Sequence, residues 1–375
     1  MGSLDRADSA RMFRRAIRRM TAYVPGEQPR PGQRLIKLNT NENPYPPSPA
    51  VRRVLAGAAG LLRLYPAPLA DELIVEAARL YRLPREMIVA GNGSDELLAM
   101  IFRVTLGARD RVAYPLPTYS LYDTLAAIQE ATVIGVPWRE NFVLPLDELV
   151  RARARLTIVC NPNSPSGTCV AAAKLAALAR RLAPRLLVID EAYVDFADGH
   201  ALELVRRYRN VVVLRSFSKS FSLAGMRLGL GFAHPEIIQQ LLKVKDSYNL
   251  SRLAIAVGAR ALRDVAWMRR NVERIKTMRA RVEAELRRMG FEVPPSRANF
   301  VMARLPGRDL GPLAAGLRKR GILVRYFATP ELKDALRISI GTPAEMAALM
   351  RALRPLMATP GVATASRRRP AAPAR

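Results

Sequence analysis

Short runs of β-branched and apolar residues punctuate the first two thirds of the chain, at residues 156–160, 186–189 and 211–214. Runs with no polar face read as strands buried on both sides. Residues 111–114 and 132–136 read as two further strands. Between these runs, residues 97–102 and 171–182 place apolar side chains at helical spacing. Strands separated by helices imply right-handed crossovers and a largely parallel sheet. The fold class expected is therefore α/β.

The flanks read differently. Pro25, Pro29, Pro31 and Gly32 make the early segment an extended arm, and residues 38–47 are too polar and proline-rich for regular structure. A helix is expected over 48–59, opened by Ser48 as cap and Pro49 at the first position. Leu64-Tyr65-Pro66 interrupts before a second helix starts at Asp71. Residues 252–288 read as a long helical segment. Residues 299–302, a helix ending near Arg320, and residues 335–340 then describe a small α+β domain. The division expected is an arm over 1–35, a large domain over 36–255, a small domain over 256–358 and a basic, disordered tail over 359–375.

Composition narrows the class. The chain has 375 residues, 50% of them hydrophobic and 25% charged, as expected of a globular protein with room for two domains. No apolar run is long enough to span a bilayer, and residues 1–20 lack the apolar core of a secretory signal. A cytoplasmic location is expected, with no membrane partner. Cys160, Cys169, His200 and His234 form neither a disulfide framework nor a metal cluster. The formal charge of +28 comes mostly from arginines spread along the chain, with Arg367-Arg368-Arg369 in the tail. Such charge favours polyanions at long range. No helix-turn-helix, zinc finger or RNA-binding signature organises it, so no specific nucleic-acid partner is expected.

Chemistry enters at the carboxyl ends of the strands, where open α/β sheets bind ligands. After residues 211–214 come Ser216, Ser218 and Lys219, with Arg227 eight positions on. Burial lowers the pKa of a lysine and frees an amine able to attack a carbonyl. The two serines and Arg227 are donor types suited to a phosphate. Gly93-Ser94-Asp95 is a glycine turn opening a helix, whose free N–H groups also suit a phosphate. Asp190 ends one strand without a local cation, and a buried carboxylate needs one; Tyr193 follows it. Asn161 ends another strand, and Tyr119 and Tyr122 stand on a connecting segment. Each residue alone has an ordinary packing explanation. Their succession in this order does not.

With these residues the chain resembles the fold-type-I, pyridoxal-phosphate-dependent aminotransferases, over nearly its whole length. The resemblance implies pyridoxal 5'-phosphate as cofactor and Lys219 as the lysine that bonds it. It implies Asp190 as partner of the pyridine nitrogen, Asn161 and Tyr193 as holders of the ring oxygen, and Tyr119 stacked on the ring. Gly93, Ser94, Asp95, Ser216, Ser218 and Arg227 are implied around the cofactor phosphate, and Arg337 on substrate acid groups. Tyr23-Val24-Pro25-Gly26-Glu27, Asn41-Glu42-Asn43-Pro44 and Leu64-Tyr65-Pro66 are similar to motifs of the histidinol-phosphate aminotransferases within that family. That narrower resemblance implies Tyr23, Asn43 and Arg325 as substrate contacts. It also implies a homodimer in which Tyr65 reaches the partner's site. Ser166 replaces the threonine usual in its motif. The implied reaction exchanges an amino group between L-histidinol phosphate and 2-oxoglutarate in histidine biosynthesis. Rivals on the same fold are an aromatic amino-acid aminotransferase and a threonine-phosphate decarboxylase. A rival of another class is a regulatory protein that binds nucleic acid through its charge.

Overall fold

In the computed structural model, residues 12–23, 25–58, 60 and 62–358 are described; the C-terminal tail lies outside them. The strands in chain order are β1 (Ile36–Leu38), β2 (Ile88–Asn92), β3 (Arg111–Leu116), β4 (Thr132–Pro137), β5 (Leu156–Cys160) and β6 (Leu186–Asp190). There follow β7 (Val211–Ser216), β8 (Leu228–Ala233), β9 (Phe300–Arg304), β10 (Ile322–Tyr326) and β11 (Ala335–Ser339).

Seven strands form one sheet in the order β2-β8-β7-β6-β5-β3-β4. Strands β3 to β7 pair in parallel, and β8 runs antiparallel between β7 and β2. Every residue of β5 and β7 is buried, which explains why apolar side chains dominate them, with Thr157, Arg215 and Ser216 as the polar positions. The pattern along the chain does not announce β8. Its sequence, Leu-Gly-Leu-Gly-Phe-Ala, weakens a strand pattern with two glycines. A Cβ at Gly229 would stand 2.6 Å from the Gly93 carbonyl carbon and the Ser94 nitrogen. That glycine lets the helix Gly93–Thr105 start directly against the strand.

The second sheet has the order β1-β10-β11-β9. Strand β1, which the expected division put in the large domain, pairs in parallel with β10 through Ile36–Ile322 and Leu38–Val324. Three residues after a proline-rich arm carry too little periodicity to be read as a strand. Antiparallel pairing sets Arg325 of β10 directly opposite Arg337 of β11. Like charges facing across a strand pair are destabilising unless an anion joins them.

The helical segment expected over 252–288 is two helices, Arg252–Arg263 and Val265–Arg288, separated at Asp264. Asp264 accepts a hydrogen bond from the Ser48 hydroxyl, the residue that caps the helix Pro49–Gly57. Inside the longer helix, Arg279 is buried and donates to the carbonyls of Phe196 (3.2 Å) and Ala298 (2.7 Å). It thereby ties the turn after β6 to the entry of β9. No helix among the described residues is long and apolar enough to cross a membrane.

Candidate active site

The carboxyl ends of β3, β5, β6 and β7 open into a cleft of about 640 Å³ that also takes in the arm and the second sheet. Lys219 follows β7 and projects into this cleft, where its Nζ donates to the Thr40 carbonyl at 3.3 Å. Nζ lies 5.8 Å from the centre of the Tyr193 ring. Burial, followed by the positive charge of Arg337, brings the ammonium down from 10.5 to about 8. A depressed lysine pKa leaves free amine at pH values where an ordinary lysine is protonated. Trapping an aldehyde on the apoprotein with borohydride should therefore rise with pH, with its midpoint near 8. A midpoint near 10.5 would show that the site does not tune this lysine.

Asp190, the last residue of β6, is 2% exposed. Its Oδ2 accepts from the Tyr122 hydroxyl at 2.8 Å, and its Oδ1 from the Ala192 N–H at 3.2 Å. No lysine or arginine among the described residues pairs with it. Desolvation consequently raises the carboxyl from 3.8 to about 6. Here is a carboxylate at the floor of a cleft, served by neutral donors and lacking a cation. Tyr122 has no role in the sequence expectations, and the structure gives it one. Tyr119, three residues earlier, stands edge-on to Tyr122 at 5.6 Å and donates to Asp95 Oδ1 at 3.3 Å.

A third group gathers where the helix Gly93–Thr105 begins. Arg227 binds Asp95 Oδ2 through Nη2 at 3.0 Å and donates from Nη1 to Ser218 Oγ at 3.4 Å. The Ser216 hydroxyl accepts from the Ser218 N–H at 3.1 Å. Gly93 has φ +80, and a Cβ there would meet Arg227 Nη2 at 2.7 Å. A side chain at that position would fill the cradle that Ser94, Ser216, Ser218 and Arg227 share along the cleft wall.

On the side of the second sheet, Arg337 donates to Ser164 Oγ and to the Asn39 carbonyl, each at 3.0 Å. It lies over the rings of Phe300 (5.4 Å) and Phe327 (5.7 Å), and its Nε is buried without a partner. Arg325, across the ladder, donates to the Pro25 carbonyl at 3.3 Å and lies over Phe327 at 5.3 Å. Tyr23 packs edge-on against Tyr119 at 6.4 Å, closing the arm over the cleft mouth. The arm is held by Glu27, which pairs with Arg318 at 2.7 Å.

Two expectations need correction. Asn161 does not line the cleft. Its Nδ2 donates to the Val170 carbonyl at 3.0 Å and its Oδ1 accepts the Val170 N–H at 2.7 Å. Cys160, one residue earlier, lines the cleft, and successive side chains of an extended backbone face opposite ways. Ser164 occupies the cleft wall instead. Asn43 is not in the wall either. Its Nδ2 donates to the carbonyls of Lys219 (3.0 Å) and Ser220 (3.2 Å), bracing the lysine loop from behind. The neighbouring motif residue Asn41 does line the cleft and donates to the Tyr193 hydroxyl at 3.0 Å. Tyr65, expected to serve a partner's site, stands away from the cleft of its own chain, 77% exposed and stacked on Tyr248 at 4.5 Å.

The sequence profile described as Aminotransferase class I and II matches residues 33–353. The chain belongs to the class I and II aminotransferases. It is 44% identical over 346 residues to histidinol-phosphate aminotransferase 1 of Trichormus variabilis, covering 92% of this chain and 99% of that protein. It is 47% identical over 345 residues to histidinol-phosphate aminotransferase of Citrifermentans bemidjiense, covering 92% and 98%. Among solved structures, histidinol-phosphate aminotransferase from Sinorhizobium meliloti, in complex with pyridoxal-5'-phosphate, superposes with a TM-score of 0.84 at 27% identity, covering 95% and 99%. As an aminotransferase, this chain has a cleft whose residues fit that cofactor on two independent grounds. The cation-less Asp190 suits a protonated ring nitrogen, and the cradle kept open by Gly93 suits a phosphate.

Proposed function

We propose that the protein transfers an amino group between L-histidinol phosphate and 2-oxoglutarate, giving imidazole-acetol phosphate and glutamate, as a step of histidine biosynthesis. The observation that carries this reading is the facing pair Arg325 and Arg337 in the cleft that holds Lys219. A dianionic phosphate and a carboxylate are the ligands that such a pair accommodates.

Pyridoxal 5'-phosphate, when bound, supplies an aldehyde for amines and a ring that withdraws electrons from the substrate carbon. Asp190 would hold a proton at the ring nitrogen. Tyr193, its hydroxyl fixed by Asn41, would donate to the ring oxygen, and Tyr119 would pack against the ring. Gly93, Ser94, Ser216, Ser218 and Arg227 would hold the phosphate, with Asp95 anchoring Arg227. Lys219, with its depressed pKa, would be the residue that bonds the cofactor and, as a free amine, the base that moves the proton at the substrate Cα. Arg337 takes the acid group of either substrate, pre-aimed by Ser164 and Asn39. Arg325 takes mainly the phosphate, and the Tyr23 hydroxyl adds a donor at the mouth.

The protein is proposed to work as a cytoplasmic homodimer. Tyr65 and Tyr248 stack on the surface with Leu64 and Leu69 exposed nearby in sequence. An aromatic pair left in water fits a subunit contact, through which Tyr65 reaches the partner's cofactor phosphate.

Arg325→Ala tests the substrate assignment. Its kcat/KM for histidinol phosphate should fall more than that for glutamate by about 2 kcal/mol, the scale of a lost charge-assisted hydrogen bond. Equal losses would make Arg325 a structural residue. Strong turnover of phenylalanine with none on histidinol phosphate would shift the reading to an aromatic aminotransferase and leave the lysine chemistry standing.

A further inference from the structure

A second cavity, of about 620 Å³, shares no lining residue with the cofactor cleft. Strand alternation creates it. Ser216 at the end of β7 faces the cleft, and Arg215 beside it faces the second cavity. Tyr193 lines the cleft, and the tight turn that follows it carries Asp195 round to the cavity.

The cavity wall is cationic. Arg82, Arg206, Arg215, Arg269 and Lys276 face three carboxylates, those of Asp195, Glu203 and Glu273. Those carboxylates are already engaged. Glu203 pairs with Arg206 at 3.5 Å and Glu273 with Lys276 at 3.3 Å. Asp195 accepts from the Ser220 hydroxyl, next to Lys219. No carboxylate among the described residues pairs with Arg82 or Arg269. Arg215 is 8% exposed and lies over the Tyr81 ring at 4.9 Å. Its Nε donates to Glu191 Oε2 at 3.0 Å, and its Nη2, 3.0 Å from the same oxygen, is left without a hydrogen bond of its own. A buried guanidinium N–H left without an acceptor costs desolvation that an anion would recover. The remaining wall is mostly apolar, with Leu80, Val265, Met268 and Val272, and includes His200.

We propose that this cavity is a second small-molecule site, taking an organic anion with an apolar or aromatic body. The charged group sits between Arg215, Arg82 and Arg269, and the body lies on Tyr81, Met268 and Val272. Asp195 in the wall accepts from the Ser220 hydroxyl, so the wall is linked to the loop that carries Lys219.

Calorimetric titration of the holoenzyme with phenyl phosphate is the test. It compares wild type, the double variant Arg82→Gln/Arg269→Gln and the cleft variant Arg325→Ala. The double variant should bind at least about tenfold more weakly, the consequence of losing charge-assisted contacts, with turnover unchanged. Arg325→Ala should keep this binding event. Phenyl phosphate binding that only Arg325→Ala weakens, that neither change weakens, or that is absent from the wild type would overturn the proposal. Because Arg325→Ala reports separately on the cleft, a wrong substrate assignment there leaves the second cavity's binding unaffected.

Discussion

Protein carrying Lys219→Ala should still take up pyridoxal 5'-phosphate yet lose turnover by about 10⁴-fold or more, since one change removes both nucleophile and proton carrier. Uptake persists because the cradle at Gly93, Ser218 and Arg227 and the carboxylate of Asp190 stand independently of the lysine. The side chain leaves the Thr40 carbonyl and little else, so the fold should be unaffected. Borohydride reduction of the wild-type holoenzyme, followed by peptide mapping, should label Lys219 alone. A label on another lysine, or near-normal turnover of the variant, would remove Lys219 from the chemistry.

Asp190→Asn should be the second largest loss. The substitution keeps the size of the side chain; its amide oxygen can accept the Ala192 N–H, while its NH2 would donate to the Tyr122 hydroxyl in place of accepting from it. What it removes is the charge that holds a proton on the ring nitrogen. Turnover should fall on the order of 10²- to 10³-fold, as for other preorganised buried groups aimed at developing charge. Cofactor occupancy, read from absorbance, should change far less. The wild type should also lose activity on the acid side. A carboxyl of raised pKa is increasingly neutral as pH falls through about 6 in the absence of a cation, and a bound ring cation moves that limit lower. Near-normal kcat in Asp190→Asn would place the ring elsewhere.

The large sheet was legible because its central strands are buried on both faces and therefore mostly apolar, as in β5 and the first four residues of β7. Strand β8 was not, because Gly229 answers to a helix start more than a hundred residues away. The same contrast runs through the site. Lys219, Asp190 and Arg227 could be read from residue type at strand ends, where such side chains have few structural uses. Asn161 was misplaced although the alternation from Cys160 would have turned it away from the cleft. Asn43 and Asn41 are the same residue type two positions apart, and only the path of the chain after β1 decides which one meets Tyr193. Tyr122 serves Asp190 from a separate helix, a contact that no local pattern encodes.

Pairing β1 with β10 has a consequence for synthesis on the ribosome. Strands β2 to β8 can associate once Ala233 has emerged, whereas Ile36–Leu38 must wait for Ile322–Tyr326. At ~5–20 residues per second the delay is roughly 5–20 s. Until then Asn39, Thr40 and Asn41, which cover Lys219 and Tyr193 in the finished protein, have no strand to hold them. Part of what lowers the Lys219 pKa, the cover from Thr40 and the charge of Arg337, is therefore in place only once β10 and β11 have been made.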